Sequence, residues 1–559
     1  MRNLLTLLTV LALAAAASAA TITIVNVDDP GEGFNDPTPL APVGGNPGTT
    51  VGAQRLNLFQ HAADIWGGLL PSGVPILIRA SFDPLTCTET GAVLGSAGPL
   101  VVNRDFSGAP QADTWYHGAL SDKLAGTDLD PGTEDIRARF NAALDGSPEC
   151  LGGRGWYYGF DGNAGTDIAL LPVLLHEMGH GLGFSTFVDE SDGSEFFGST
   201  DIYARHLLDN VTGLHWDEMN DAQRAASAVN TGHVVWDGAA VTAAAPGVLN
   251  GRPILETVAP GTLPPTMALG VASFGPSLDV TGVTEAVVLA DDGAGADPED
   301  ACETLLNAAQ IAGRIALVDR GNCTFATKAF AAEAAGAVAV IIVDNAVSDT
   351  PPGLGGTAPG LTIPAVSVTL ADGNLLKAAL PGAVVTLRRD PSLLAGADDQ
   401  GRVLIYAPDP IEPGSSISHF DTSADPSLLM EPAITPLLND EVDLTLQHFV
   451  DIGWFTGEPT AVDGPLPTPV DLAPAYPNPF NPRTTLAFRT TGEAPVRLAV
   501  YDAAGRLVRT LVDGVLPAGE HAVNWNGEHQ DGRRGAAGVY FVRLQEGAAS
   551  RTRTVVMLK

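Results

Sequence analysis

The sequence predicts a multidomain chain: an α+β domain, divided by a β-rich insertion and followed by a C-terminal β-sandwich. Three observations carry this expectation. The 559 residues suffice for three or four domains at roughly 150 residues each. The hydropathy texture changes near 271, 396 and 457. Hydrophobic residues make up 45% and charged residues 17%, so the 63 glycines and 42 prolines punctuate folded domains and do not mark disorder; no strict glycine period suggests collagen. The formal net charge is −36, and lysine occurs only at positions 123, 328, 377 and 559. Without a basic surface to neutralise phosphates, nucleic acid is excluded as a partner.

Residues 1–19 read as an export signal: Arg2 gives the positive end, Leu4 to Ala17 the apolar core, and Ala17-Ser18-Ala19 a small-residue cleavage site. No other apolar run reaches the ~18 residues of a transmembrane helix; the longest, Ala335 to Val343, reads as a buried strand. A secreted or cell-surface protein without a membrane-spanning helix is expected. Residues 20–270 form the first part of the α+β domain, with strand-like Thr21 to Val27 and Val74 to Phe82 and helical Leu56 to Ile65 and Asp135 to Leu144. Residues 271–395 change to short apolar strands (Ala286 to Ala290, Ile315 to Val318, Val338 to Val343, Ala365 to Val368) around one helical segment, Ala326 to Ala335. Mixed texture returns over 396–456, and 457–474 is a Pro/Gly-rich linker. Residues 475–559 alternate apolar and polar positions in Arg497 to Tyr501, Leu507 to Leu511, His521 to Trp525 and Val539 to Leu544, the pattern of a small β-sandwich. The four cysteines allow three connectivities; local disulfides, Cys87 with Cys150 and Cys302 with Cys323, are preferred because each pair falls inside one domain.

The sharpest chemical signal is HEMGHGLGF, His176 to Phe184, after the apolar run Ile168 to Leu175. In a helix, His176 and His180 share one face and can present imidazole nitrogens to one zinc ion about 2 Å away. Glu177, one step around, can reach a zinc-activated water as general base. Pro172 either opens this helix at its first position or kinks one starting near Asp167, and Gly181 or Gly183 ends it.

This segment resembles the metzincin zinc peptidases, whose signature continues as H-x-x-G-x-x-H. Here Thr186 stands where the third histidine is usual. HEMGHGLGFS looks like the leishmanolysin-like branch, in which an insertion separates the glycine turn from the third ligand. Ser418-His419-Phe420-Asp421 and Leu429-Met430-Glu431-Pro432 resemble that branch's third-ligand and Met-turn segments. The resemblance implies a metzincin-like catalytic domain with His176, His180 and His419 as metal ligands, Glu177 as catalytic base and Met430 beneath the metal. Asp189, Glu190, Asp201, His206 and His215 are rival third ligands.

Between the two halves of the site, Gly313 to Phe325 (GRIALVDRGNCTF), with Lys328 and Ala334 to Ala337, resembles the protease-associated (PA) domain, a module without catalytic residues of its own. Tyr476 to Pro482, Tyr501-Asp502, Gly505-Arg506, Trp525 to Gly527 and Gly538 to Phe541 resemble the FlgD-like immunoglobulin fold. Similar tails end many exported bacterial proteins, which implies secretion or cell-surface machinery as a partner. Asp161-Gly162-Asn163 with Asp167 offers oxygen ligands for Ca2+, although an acidic turn before a helix is the favoured explanation because the later ligand positions of an EF-hand are absent. Tyr157, Tyr158 and Phe160 are candidate cleft residues, and no G-x-S-x-G elbow supports a serine triad. The combined expectation is a secreted zinc-dependent endopeptidase acting on protein or peptide substrates with one catalytic zinc. The alternative is a catalytically inactive cell-surface binding protein on a peptidase scaffold, and the completeness of the metal site separates the two.

Overall fold

The structure, a computed structural model, describes residues 19–455 except 146, 294–296, 349, 436 and 437. In the tail it describes 471–472, 480 and 483–557 except 491–493, 503–505, 518, 531–532, 536–537 and 547–548. The expected export signal, apart from Ala19, and most of the expected linker lie outside the described residues. The chain divides into two compact units, Met1–Thr456 and Gly457–Lys559.

In the first unit a four-stranded sheet has the order Ile22–Asn26, Ile76–Asp83, Ile136–Asn141, Gly95–Pro99. The first three strands run parallel and the edge strand Gly95–Pro99 antiparallel. The long helix Val51–Leu69 forms the crossover that a parallel first pair requires. It starts at Thr50, whose side chain accepts the Ala53 N–H at 3.2 Å, an N-cap that satisfies one otherwise orphaned donor. Asp135 to Leu144, expected to be helical, is instead the strand Ile136–Asn141 followed by a short 3-10 turn. Ile136, Ala138 and Phe140 are buried while Arg137 and Arg139 face outward, a period of two that pairing on both sides turns into a central strand.

One hydrophobic core joins residues of 20–249 to residues of 397–454. Trp66 meets Phe449 with ring centroids 5.1 Å apart, and Trp236 donates to Asp451 at 3.0 Å. Sequence segments on either side of the insertion therefore fold as one body.

The insertion carries an eight-stranded sheet. At its centre Val283–Leu289, Ile315–Asp319, Ala339–Val343 and Ala365–Val368 run parallel. Both faces are covered: Ala316, Val318, Val340 and Ile342 lie in one apolar cluster and Ile315, Leu317, Ile341 and Val343 in the other. Double burial explains why Ile315 to Val318 and Ala339 to Val343 read as unbroken apolar runs. The helix Phe325–Ala334 matches the expected one, but a second, Leu370–Ala378, was not anticipated; the Thr369 side chain caps it by accepting the Asp372 N–H. The sheet also begins earlier than the expected boundary at 271, because Gly251–Ala259 pairs antiparallel with Val384–Leu394. This pairing brings the ends of the insertion together, and the Ala395 N–H bonds to the Asn250 carbonyl at 2.9 Å.

In the second unit, Asp471–Leu472, Thr484–Thr490 and Gly519–Trp525 form one sheet, and Leu507–Leu516, Ala494–Asp502, Gly538–Glu546 and Ala549–Met557 the other. Leu486, Phe488, Leu498, Val500, Trp525 and Leu544 share a single core, which makes a β-sandwich. Leu472, expected in the linker, is buried in this core.

Candidate metal centre

The histidine motif folds as a helix, Leu170–Leu182, in which every residue is buried. Pro172 is its third residue, neither the first nor a kink, and the missing N–H is one that a first turn leaves without an intrahelical partner. Gly181 stays inside the helix. Gly183, at φ 137°, ends it and turns the chain in a conformation that a side chain would strain. The carbonyls left over at this end are met by Trp454 Nε1 on Leu182 at 2.9 Å and His448 Nε2 on Gly183 at 3.2 Å.

His176 and His180 bring their Nε2 atoms to 3.1 Å, and His419 Nε2 lies 3.2 Å from that of His176. Each Nδ1 sits against a backbone carbonyl: Leu429 for His176 at 2.7 Å, Phe184 for His180 at 2.8 Å, Ser415 for His419 at 2.7 Å. A carbonyl only accepts, so each Nδ1 carries the proton and each Nε2 is a lone pair. Three lone pairs aimed at one another repel unless a cation lies among them. Burial also holds His176 down to about 3, His180 to about 4 and His419 well below the usual histidine value, which keeps the rings in the neutral form that binds metals. The residues present therefore fit a metal ion, and the three imidazoles are close enough to share one.

Glu177 is buried beside them, and its side chain lies against the edge strand: a Cβ at Gly95 would sit 2.9 Å from Glu177 Cγ. Burial pushes its carboxyl up to about 8, the Ala97 backbone N–H pulls it down, and a bound cation nearby would pull it further down. Met430 is wholly buried, and a Cβ at Gly179 would lie 2.8 Å from its sulfur, so the methionine packs directly on the metal-site helix. Its carbonyl accepts the Phe420 N–H at 2.8 Å, tying the Met430 turn to the His419 segment.

The rival ligands are engaged elsewhere. Asp201 accepts the Phe187 and Ala204 N–H groups and the Thr186 hydroxyl, each at 2.8 Å. His206 stacks near Trp236 with centroids 5.0 Å apart, and His215 lies 3.0 Å from Asp237. Asp189 and Glu190 line a neighbouring cavity. Asp161 of the acidic turn accepts from the Tyr157 hydroxyl and the Asn163 N–H and joins no cluster of three metal-binding groups among the described residues, so nothing supports Ca2+ there. Tyr158, expected beside a cleft, is instead buried in the core and bonded to Arg55 Nε at 2.9 Å and to Asp145.

Sequence reasoning missed the groups that hold this arrangement. Asp443 accepts the Leu429 N–H and Glu431 the Leu428 N–H at 2.8 Å, fixing the turn whose carbonyl orients His176. His117, fully buried, bonds to Ser185 Oγ at 2.8 Å and stacks near Phe187. The disulfides join Cys87 to Cys150 and Cys302 to Cys323.

Comparison with known proteins adds two domain identities. Residues 283–376 match the PA domain and residues 479–550 the FlgD Ig-like domain. The chain is 52% identical over 48 residues to a PRADC1-like protein of Drosophila melanogaster, covering 9% of this chain and 24% of that protein. It is 41% identical over 98 residues to a probable lipoprotein aminopeptidase, LpqL, of Mycobacterium tuberculosis, covering 17% and 19%. The chain thus spans no more than about a quarter of the length of these relatives. A solved zinc aminopeptidase from Bacillus subtilis aligns at 27% identity over 26% of this chain and 31% of its own, with a TM-score of 0.19, too low for the likeness to extend beyond that part. No helix among the described residues is long and apolar enough to cross a membrane.

Proposed function

We propose that this chain is a zinc peptidase whose metal is held by His176, His180 and His419. The observation that carries the reading is the convergence of three deprotonated Nε2 atoms beside a buried glutamate. Three histidines with an open fourth position are the ligand set of a catalytic zinc, whereas a closed four-ligand set is structural. When bound, zinc polarises the scissile carbonyl and acidifies water at the open position. Glu177 takes the proton of the attacking water on its carboxylate and delivers it to the departing amine. The edge strand Gly95–Pro99 holds that carboxylate in place, and the buried setting excludes competing solvent.

The finer reading is an endopeptidase of the metzincin type, leishmanolysin-like in sequence around HEMGHGLGFS and Met430. A probable aminopeptidase among the relatives supports the peptidase class. The two disulfides suit an oxidising compartment outside the cytoplasm, and the FlgD Ig-like domain suits contact with secretion or cell-surface machinery. The test is digestion of casein and of N-acetylated peptides. Activity is expected with the purified protein, abolished by a chelator and restored by zinc. Cleavage confined to peptides with a free amino terminus would replace the endopeptidase form with an aminopeptidase, and cleavage insensitive to the chelator would remove zinc from the reaction.

A further inference from the structure

Immediately after the metal-site helix, residues 186–197 fold around a cavity of about 610 Å³ lined by Thr186 to Glu190 and by Ser194 to Phe197. Its first wall is the chain that follows the metal-site helix. The Thr186 N–H bonds to Ser418 Oγ at 3.3 Å, one residue before His419, and the Phe187 ring lies 4.6 Å from that of His117. Phe187 and Phe196 have centroids 6.2 Å apart, and Trp115 supports Phe196 with its ring at 5.4 Å and its Nε1 donating to the Phe196 carbonyl at 2.9 Å. The loop is fixed from behind by Arg224, which donates to the Gly193 carbonyl at 2.7 Å and pairs with Glu195 at 3.4 Å. The cavity opens broadly to solvent, with aromatic faces that remain exposed: Phe196 is 39% and Phe197 82% accessible.

Its charge is one-sided. Glu195 has Arg224, but Asp189 and Glu190 have no basic partner among the described residues. Asp189 accepts from Ser191 in its own turn, and the half-buried Glu190 carboxyl meets its own backbone N–H and the like charge of Asp189. A cavity that offers aromatic faces and two unpaired carboxylates matches one side chain best. Arginine stacks its planar guanidinium and apolar stem on aromatic rings while donating to carboxylates, which lysine does less well and acidic or short apolar side chains not at all.

We propose that this cavity is the specificity pocket of the metal site and takes an arginine side chain of the peptide substrate, with Glu190 as its carboxylate partner. The proposal rests on the peptidase reading above and names the substrate class of that site. Its test uses the full, zinc-loaded chain and N-acetylated fluorogenic peptides carrying arginine, leucine or glutamate on either side of the scissile bond. At one of those positions kcat/KM should be highest for arginine, exceeding glutamate by about fivefold, the upper end for a partly exposed ion pair. Glu190→Gln should lower kcat/KM for the arginine peptide several-fold more than for the leucine peptide, and Glu190→Lys should move the preference to glutamate. Equal cleavage of all three peptides by the unaltered protein, or an equal loss on every peptide in Glu190→Gln, would overturn the pocket while leaving the peptidase intact. The wild-type ranking needs no substitution and decides the matter if a variant fails to fold. A binding measurement separates the two ideas further, with Glu177→Gln and fluorescein-labelled versions of the same peptides. Tighter binding of the arginine peptide without any hydrolysis by the wild type would keep the pocket and overturn the peptidase; no preference in binding or in cleavage would overturn the pocket.

Discussion

His176, His180 and His419 act as a set because each ring is oriented by a main-chain carbonyl and none by another side chain. Glu177 stands apart from the set, buried and pressed on the edge strand, so its loss should affect chemistry and not metal retention. Glu177→Gln is therefore expected to keep zinc while lowering peptide hydrolysis at least ~100-fold, since general-base assistance contributes roughly 10²–10⁴; near-normal turnover measured on casein would contradict that role. His117 gives a pH test. Burial holds its folded pKa down to about 3, so the fold favours the neutral ring. A base with a depressed folded pKa contributes full stability above the unfolded value, near ~6.5, and loses it as pH falls toward the folded value. In chelated protein, His117→Asn should thus gain stability relative to the wild type between pH 6.5 and 4 in denaturant titrations, and a pH-independent difference would count against the assignment. The approach of His176 to His180 was legible because i, i+4 spacing puts both rings on one face of a helix. His419 was legible only through the methionine turn that follows it. The orienting carbonyls of Leu429, Phe184 and Ser415 were not legible at all, since a main-chain atom leaves no trace in residue identity.

The helix Leu170–Leu182 is the element on which the site depends, and its small residues are where neighbours come closest. A Cβ at Gly181 would lie 2.4 Å from Cγ2 of Ile136 and 2.9 Å from its Cδ1, both on a buried strand that cannot retreat. Gly181→Ala gains about 1 kcal/mol of helix propensity but meets an overpacking cost of about 1–3 kcal/mol. The steric term should win, leaving a net loss of up to about 2 kcal/mol in chemical denaturation; increased stability would show that helix and sheet are less tightly packed. The strand Ile136–Asn141 shows why element type was harder to read than the motif. Its alternation is short, alanines follow it, and only the strands on either side decide that Arg137 and Arg139 point outward. The central parallel strands of the insertion were easier, because burial on both faces leaves the uninterrupted apolar runs Ile315 to Val318 and Ala339 to Val343.

At the scale of the whole molecule, residues 20–249 and 397–454 share one core around an insertion whose ends are hydrogen-bonded neighbours. That arrangement lets His419 reach His176 across the sequence, since a domain whose ends meet costs the host little. The insertion's start at Gly251 escaped sequence reading because one more antiparallel strand on a sheet resembles the α+β texture before it. The division at Thr456 predicts that a chain ending there folds, binds zinc and cleaves casein as the full chain does; loss of zinc on truncation would make the sandwich part of the site. Leu472 argues against cutting later, because it belongs to the sandwich core. The central claim, that His176 and His180 on one helix hold one zinc together with the distant His419, is tested most directly by the zinc content of purified protein, wild type beside His419→Ala. One zinc per wild-type chain and little or none in the variant is the predicted result; zinc-free wild type, or a variant that retains a full equivalent, would contradict it.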